Sequence, residues 1–164
     1  MKRKQGTVRA MSAGACAIVA LAAASTVNAD VVLFNHSPSI PTGFYLRTAS
    51  PVEVGEVVTV RARDVALIEA SRRHYAGDGD RFIKRVAAIA GQDVCSDGQT
   101  LQIDGVEVAR VFVPVGREAP SAWVGCRRLT SDEILLLGDS PDSFDGRYWG
   151  PVSASLVEGV WRPL

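Results

Sequence analysis

The chain has 164 residues, of which 47% are hydrophobic and 22% are charged, a balance that predicts one globular domain with enough apolar material for a core. Its 18 basic and 18 acidic residues give no net charge, which argues against a nucleic-acid partner because such proteins present a basic surface. Two histidines and three scattered cysteines, none in a Cys-x-x-Cys pair, form no recognisable metal site, and we expect no cofactor.

The N-terminal stretch predicts a membrane segment. Residues 1–9 are basic and residues 10–29 carry no charge, and a helix of about 20 residues spans about 30 Å, the thickness of a bilayer's hydrocarbon core. The basic flank then stays in the cytoplasm, and residues 30–164 are exported. Small residues at Val27–Ala29 also suit the cleavage of a signal peptide. We expect a retained anchor, with a cleaved signal segment as the alternative.

Two serines stand one residue apart just beyond that segment, in the stretch NHSPSIPTGFY at residues 35–45. Pro38 and Pro41 stiffen this backbone and remove two N–H groups, so the hydroxyls of Ser37 and Ser39 are held rather than mobile. Because Ser, Pro, Thr and Gly also build ordinary loops, a simple turn is the alternative explanation.

The rest of the chain predicts a mainly β domain with one short helix, because β-branched runs alternate with turn residues. The Asp104-Gly105 pair is a strong hairpin signal, and Asp64 is a possible N-cap. In chain order, we predict a strand at 55–63, a helix at 64–75, a loop at 74–80, a strand at 81–89, a hairpin at 100–113, a buried strand running into a polar loop at 133–140, and a closing segment at 156–164.

Lys84 is the only lysine after Lys4, whereas 15 arginines supply most of the positive charge. On a strand, Lys84 shares a side with Phe82 and Val86, and burial among apolar side chains lowers the pKa of a lysine. Arginine cannot lose its proton in a protein, but lysine can. The position therefore predicts a lysine that acts as a base, with chance in a lysine-poor composition as the alternative.

The cysteines predict one disulfide bond. Cys16 lies in the uncharged segment, which leaves Cys95 and Cys126 as a pair in the exported part of the chain, where the compartment is oxidising. A bond between them closes a long loop and stabilises the fold by about 3 kcal/mol on chain-entropy grounds. Two buried free thiols are the alternative.

Three stretches together resemble the boxes of the signal peptidase I family, in that family's order. Residues 35–45 resemble its serine box, FIKRVAAIAGQDV at 82–94 resembles its lysine box, and GDSPDSFDGRYWGPV at 138–152 resembles its third box. The resemblance extends from about residue 35 to 162, and the compact serine box is most similar to TraF-type conjugative-transfer members. It implies a signal-peptidase-I-like β fold with one short helix, preceded by an N-terminal membrane helix.

The resemblance also implies a catalytic dyad. It makes Ser39 the nucleophile and Lys84 the general base that takes its proton. The hydroxyl of Ser37 and the backbone N–H of Ser39 would then stabilise the oxyanion that forms on the attacked carbonyl.

Four residues of the third box have supporting roles in the family. Ser143 matches the hydroxyl that orients the lysine, Asp145 and Arg147 match an ion pair behind the site, and Asp139 is expected to brace the loop. The sequence departs from the family pattern at three positions that are not reacting groups. These are Ile40 in place of methionine, Ala90 in place of proline, and Gly146 in place of serine.

The expected substrate is an exported precursor protein, namely a conjugative pilin precursor with small residues at the first and third positions before the cut. The acyl-enzyme would be resolved by water or by the substrate's own amino group, which gives a head-to-tail cyclic peptide. We expect a bacterial inner-membrane protein with its catalytic domain in the periplasm, or a periplasmic protein if residues 1–29 are removed.

Three rival interpretations remain. A Ser–His–Asp site would use Ser39, Asp139 and either His36 or His74, but His36 is unfavourably close to the serine in sequence. Self-cleaving repressors of the LexA type also use serine and lysine on a β fold, but they begin with a DNA-binding domain. A non-enzymatic exported β domain that scaffolds a secretion or conjugation apparatus is the third.

Overall fold

The computed structural model describes residues 30–72, 74–113 and 120–164, and within these residues the fold is mainly β, as predicted. The predicted cytoplasmic stretch and membrane segment, residues 1–29, lie outside this part of the chain. No helix within the described ranges combines the length and apolar character that crossing a membrane requires. Val32–Leu164 belong to one compact unit.

The elements follow one another in the order β1 (Val32–Asn35), β2 (Gly43–Thr48), β3 (Val57–Arg61), α1 (Ala62–Arg72), β4 (Arg81–Ala88), β5 (Asp93–Asp97), β6 (Thr100–Ile103), β7 (Val106–Arg110), β8 (Val124–Arg128), β9 (Glu133–Leu137), α2 (Gly146–Trp149), β10 (Val152–Ser153), a 3-10 helix (Ala154–Leu156) and β11 (Val157–Pro163). The strands form a seven-stranded sheet in the order β1-β2-β11-β3-β4-β9-β10 and a four-stranded sheet in the order β7-β6-β5-β8.

The larger sheet is buried on both faces near its centre. In β3, Val58 and Val60 point to one face while Val57 and Thr59 point to the other, and all four are at most 5% exposed. Because both faces are buried, the sequence of this strand is a continuous run of β-branched residues and does not alternate apolar with polar residues. One core cluster consists of Val58, Val60, Val86, Ile134, Leu136 and Val160. A second consists of Ile40, Tyr45, Val57, Ile83 and Trp161, and a third of Ala88, Val94, Leu101, Ile103, Leu129, Leu135 and Leu137.

Several predicted elements are confirmed, and the helix boundary is corrected. The β6–β7 hairpin turns at Asp104 and Gly105, which both have positive φ angles of 51° and 79°, as a tight two-residue turn requires. The helix begins at Ala62 rather than at Asp64, because β3 runs into it without a connecting loop. Asp64 therefore lies in the first helical turn, where its charge still suits the helix N-terminus, and is not an N-cap.

The predicted disulfide is present. Cys95 in β5 and Cys126 in β8 lie directly opposite each other in the antiparallel register and are bonded across a sequence separation of 31 residues. The bond links β8, an edge strand of the smaller sheet, to its neighbour β5.

The register around β4 creates an open strand edge beside the site. On one side β4 pairs with β3 from Arg81 to Arg85. On the other side its pairing with β9 begins only at Arg85. Within the described strands, residues 81–84 therefore have no strand neighbour on that second side.

Candidate active site

A groove of about 450 Å³ lies beside the open part of β4. Its walls come from β1 and the loop that follows it, from β4, and from the loop before α2. The lining includes Leu33, Phe34, Asn35, His36, Ser37, Pro38, Ser39, Thr59, Tyr75, Phe82, Ile83, Lys84, Asp142, Ser143 and Phe144.

Ser39 and Lys84 meet in this groove although they are 45 residues apart in the chain. The Lys84 Nζ lies 3.0 Å from the Ser39 Oγ, and the two residues are 3% and 7% exposed. Lys84 is held in mid-strand opposite Val58 of β3, whereas Ser39 comes from the loop between β1 and β2. The pair is therefore a hydroxyl beside an amine, shielded from bulk water.

The surroundings of Lys84 favour its neutral form. Burial is the largest effect and lowers the pKa of Lys84 to about 8, while nearby Asp145 acts in the opposite direction and Arg147 adds to the lowering. The Phe82 ring lies 5.6 Å from the Lys84 Nζ. At pH 8 about half of the molecules then carry a neutral amine at this position, so Lys84 can act as a proton acceptor.

An aromatic cluster accounts for part of this burial. Phe82 stacks on Trp149 with ring centroids 5.2 Å apart, and Phe144 meets the same tryptophan edge-on at 5.0 Å. Tyr75, on the loop after α1, stacks on Phe82. These contacts hold the Phe82 ring, which lies beside the lysine amine.

Ser37 lies next to the serine that faces Lys84. Its Oγ is 3.1 Å from the Ser39 Oγ, and it accepts a 3.3 Å hydrogen bond from the Ser39 N–H. A hydroxyl and a backbone N–H are thus adjacent to the Ser39 oxygen and are bonded to each other.

Asp145 and Arg147 form a buried ion pair behind the groove. Asp145 is fully buried and Arg147 is 2% exposed. Asp145 also caps α2 by accepting from the Arg147 N–H, and it accepts from the Gly138 N–H at 2.7 Å. Arg147 donates to the backbone carbonyls of Ser140 and Ser143 at 3.0 Å each, so the pair fixes the loop that forms one wall.

Ser143 lies in the groove wall but does not contact the lysine as the resemblance implies. Its side chain is buried, and its Oγ makes no hydrogen bond to any described residue, Lys84 included. Ser143 also lies against Gly138, where an added Cβ would be 2.1 Å from the Ser143 Oγ. No direct lysine-orienting hydrogen bond is therefore made here.

Asp139 links the third-box loop to Ser39 and to Arg85, the neighbour of Lys84 in β4. Its carboxylate accepts two hydrogen bonds from Arg85, at 2.9 and 2.7 Å, and Arg85 adjoins Lys84 in β4. Its backbone N–H donates to the Ser39 carbonyl at 2.6 Å. The residue expected to brace the loop thus contacts the serine segment and the lysine strand.

Gly146 departs from the family pattern for a visible reason. A Cβ at this position would lie 2.7 Å from the Leu136 carbonyl oxygen and 2.8 Å from the Leu135 Cδ1. Because α2 packs this closely on β9, the serine common in the family does not fit here.

Asn35 is a site residue that the sequence analysis missed. It lies at the end of β1, is 4% exposed, and its side chain bonds to the backbone of Ser37, Ile40 and Pro41. An asparagine directly before a loop with two prolines was the available signal, because such a loop lacks backbone donors.

The histidine alternative lacks the contact it needs. His36 lines the groove, but the hydrogen-bond partners of the Ser39 Oγ among the described side chains are Lys84 and Ser37. His74 is exposed on the loop after α1.

The chain is similar to several known proteins. The family model described as "Signal peptidase, peptidase S26" matches residues 5–163. Two plasmid transfer proteins TraF from Escherichia coli are similar to the chain. One is 32% identical and covers 100% of this chain and 98% of its own, and the other is 31% identical with coverages of 93% and 90%. A crystal structure of a signal peptidase I from Enterococcus faecalis V583 is similar at 22% identity with a TM-score of 0.41, over 69% of this chain and 98% of that one.

Proposed function

Because this chain belongs to the signal peptidase family, peptidase S26, we propose that it is a serine endopeptidase in which Lys84 activates Ser39 to process an exported precursor protein. The observation that carries the proposal is the 3.0 Å contact between the Lys84 Nζ and the Ser39 Oγ in a nearly water-free setting. A neutral lysine at this distance is within reach of the hydroxyl proton.

The proposed reaction proceeds through an acyl-enzyme. Neutral Lys84 accepts the hydroxyl proton as the Ser39 Oγ attacks the scissile carbonyl, and the ammonium then returns a proton to the departing amine. The peptide C–N bond is broken and an ester to Ser39 is formed. Lys84 next removes a proton from the acceptor that attacks the ester, and the serine hydroxyl is restored.

Ser37 has the proposed role of oxyanion donor. Its hydroxyl and the Ser39 N–H now interact with each other, and in the substrate complex both would turn to the attacked carbonyl oxygen. Removing one such donor typically slows a peptidase by 100- to 1,000-fold.

The open edge of β4 supports binding of the substrate as an extended strand. Among the described strands, residues 82–84 have a neighbour only on the β3 side, so a peptide could pair with their outer edge. A peptide added at a strand edge sends alternate side chains to opposite faces. We propose that small residues at the first and third positions before the cut fit beside Ser39.

An exposed apolar face supports a membrane location. Val32 pairs with Leu46 and Phe34 pairs with Phe44 across β1 and β2, and each of these side chains is 40–57% exposed. The two phenylalanine rings also contact each other, with centroids 4.8 Å apart. This β1–β2 apolar face directly follows the proposed anchor at residues 10–29. We propose that it rests on the outer surface of the inner membrane, with residues 30–164 in the periplasm.

The relatives suggest the biological setting. Two of them are plasmid transfer proteins, so we propose that the substrate is a precursor of the conjugation apparatus, of the pilin class. The acceptor that resolves the acyl-enzyme is water, which gives cleavage, or the amino group of the same substrate chain, which gives a cyclic product.

Mass spectrometry of a defined precursor tests the proposal. The purified full-length chain in detergent is incubated with an extended precursor that has alanine at the first and third positions before the expected cut. Cleavage or cyclisation is expected with the wild type and is lost with Ser39→Ala. A non-enzymatic scaffold would keep its cellular role after Ser39→Ala. If the wild type leaves the precursor uncut and uncyclised, the proposed peptidase activity is wrong.

A further inference from the structure

We propose that Asn35 is a positioning residue that fixes the loop carrying the Ser39 nucleophile. The inference rests on the proposed function, in which Ser39 attacks the substrate. It concerns a side chain that touches neither of the reacting groups and acts through the backbone between β1 and β2.

The Asn35 side chain binds the loop on both sides of Ser39. Before Ser39, its Oδ1 accepts from the Ser37 N–H at 3.0 Å and its Nδ2 donates to the Ser37 carbonyl at 2.9 Å. After Ser39, the same Nδ2 donates to the carbonyls of Ile40 at 2.9 Å and Pro41 at 3.1 Å. One amide therefore makes four contacts with a single loop.

The composition of the loop explains why it depends on a side chain. Pro38 and Pro41 have no N–H group, so this loop has fewer backbone donors than one of the same length without proline. Buried carbonyls without a donor are costly. The amide of Asn35, which is 4% exposed, supplies donors from within the loop's own segment. The Tyr45 hydroxyl also donates to the Pro41 carbonyl, and the Asp139 N–H donates to the Ser39 carbonyl, but among the described side chains Asn35 alone binds both sides of Ser39.

The consequence for the site is geometric. Both peptide groups flanking Ser37 are bound, so the Ser37 side chain is directed at the Ser39 Oγ, 3.1 Å away. With the chain also fixed at Ile40, the segment between the two anchors has little freedom. The Ser39 hydroxyl is then held at its 3.0 Å distance from the Lys84 amine, which is the arrangement a general base requires.

The isosteric substitution Asn35→Asp separates positioning from simple folding. It keeps the shape and the acceptor for the Ser37 N–H, but it replaces the donor with an oxygen that faces three carbonyls. We expect kcat to fall about 100-fold, with KM nearly unchanged.

Gln92→Glu is the matched control. Gln92 makes the same kind of contacts in the loop before β5, where it accepts from the Ile89 N–H and donates to Asp104, away from the groove. This amide-to-carboxylate change should lower the melting temperature and leave the rate per folded molecule unaltered. Both variants are assayed at a temperature at which circular dichroism shows them fully folded.

A crystal structure of Asn35→Asp gives a readout that does not depend on activity. We expect the Ser39 Oγ to move beyond hydrogen-bond distance of the Lys84 Nζ. An unchanged 3.0 Å contact, or a rate per folded molecule equal to that of the wild type, would overturn the inference. If the wild type itself processes no precursor, the proposed function fails, and the crystal structure still decides whether Asn35 holds the loop.

Discussion

Arg147 donates to both carboxylate oxygens of Asp145, at 2.8 and 2.7 Å, and their side chains are only 3% and 0% exposed. The same carboxylate also accepts from the backbone N–H of Gly138. Its negative charge acts to raise the pKa of Lys84, against the larger lowering by burial. One buried pair thus supports the fold of the third-box loop and influences the charge of the proposed base.

Asp145→Asn should lower the free energy of unfolding by about 3 to 5 kcal/mol, because it leaves the Arg147 charge buried without its partner. It should also shift the pH midpoint of the remaining activity downward, since a nearby negative charge that favours the ammonium of Lys84 is removed. Denaturant titration and a pH–rate profile measure the two effects. Glu107→Gln is the control, because its pair with Arg110 is exposed and should change stability by less than about 1 kcal/mol. An upward shift of the pH midpoint would contradict the claim that the Asp145 charge favours the ammonium form of Lys84.

Gly138→Ala should inactivate the protein for a steric reason. A Cβ there would lie 2.1 Å from the Ser143 Oγ and 2.9 Å from the Ser39 carbonyl oxygen, so the loop or the nucleophile segment must move. We expect a loss of at least about 100-fold in kcat/KM, because misplacement by about 1 Å costs that much. The wild type is the reference, assayed at a temperature at which both proteins are folded. Equal activities of the two proteins would disprove the close-packing argument.

Lys84→Met should abolish activity and increase stability near neutral pH, which is the behaviour expected of a residue retained for function. The pKa of Lys84 is about 8 in the folded chain, whereas a lysine in the unfolded chain has its ordinary pKa of 10.5. The unfolded chain therefore binds an extra proton between these values, and the stability of the wild type rises with pH in that window. The advantage of Lys84→Met should shrink by about 3 kcal/mol between pH 8 and pH 10.5. Urea titrations at several pH values measure this, and a constant difference would argue against a buried, neutral-prone lysine.

Replacing Phe34 and Phe44 with serine should weaken membrane association. These rings form the centre of the β1–β2 apolar face and are 55% and 57% exposed, so each would bury apolar surface in the interface. Flotation of residues 30–164 with vesicles of bacterial phospholipids measures the effect. Val106→Ser, at a side chain that is 65% exposed on the smaller sheet, is the control and should bind vesicles as the wild type does. Equal binding by all three proteins would exclude this face as the contact.

Local pattern predicted the strand around Lys84 and its burial, because alternation along a strand is fixed by the backbone. The meeting of Lys84 with Ser39 could not be read from local pattern, since the two lie 45 residues apart; it followed only from the family resemblance. The single-turn helix α2 was missed because a turn of four residues carries no periodicity.

Two details of the structure depended on packing that a sequence does not display. The buried hydroxyl of Ser143 makes no hydrogen bond to Lys84 among the described residues. The start of helix α1 could not be predicted from local sequence either. The helix begins at Ala62, directly after β3, although Asp64 is a residue type that favours the cap position.

The pH dependence of kcat/KM, measured for the wild type and for Lys84→Arg, tests the central claim that Lys84 is the base for Ser39. The wild type should gain about tenfold per pH unit up to a midpoint near 8, where Lys84 loses its proton, and then level off. Lys84→Arg should be slower by about 100- to 10,000-fold at every pH, because arginine keeps its proton. A flat wild-type profile between about pH 6 and 10, or near-normal turnover by the arginine variant, would contradict the account.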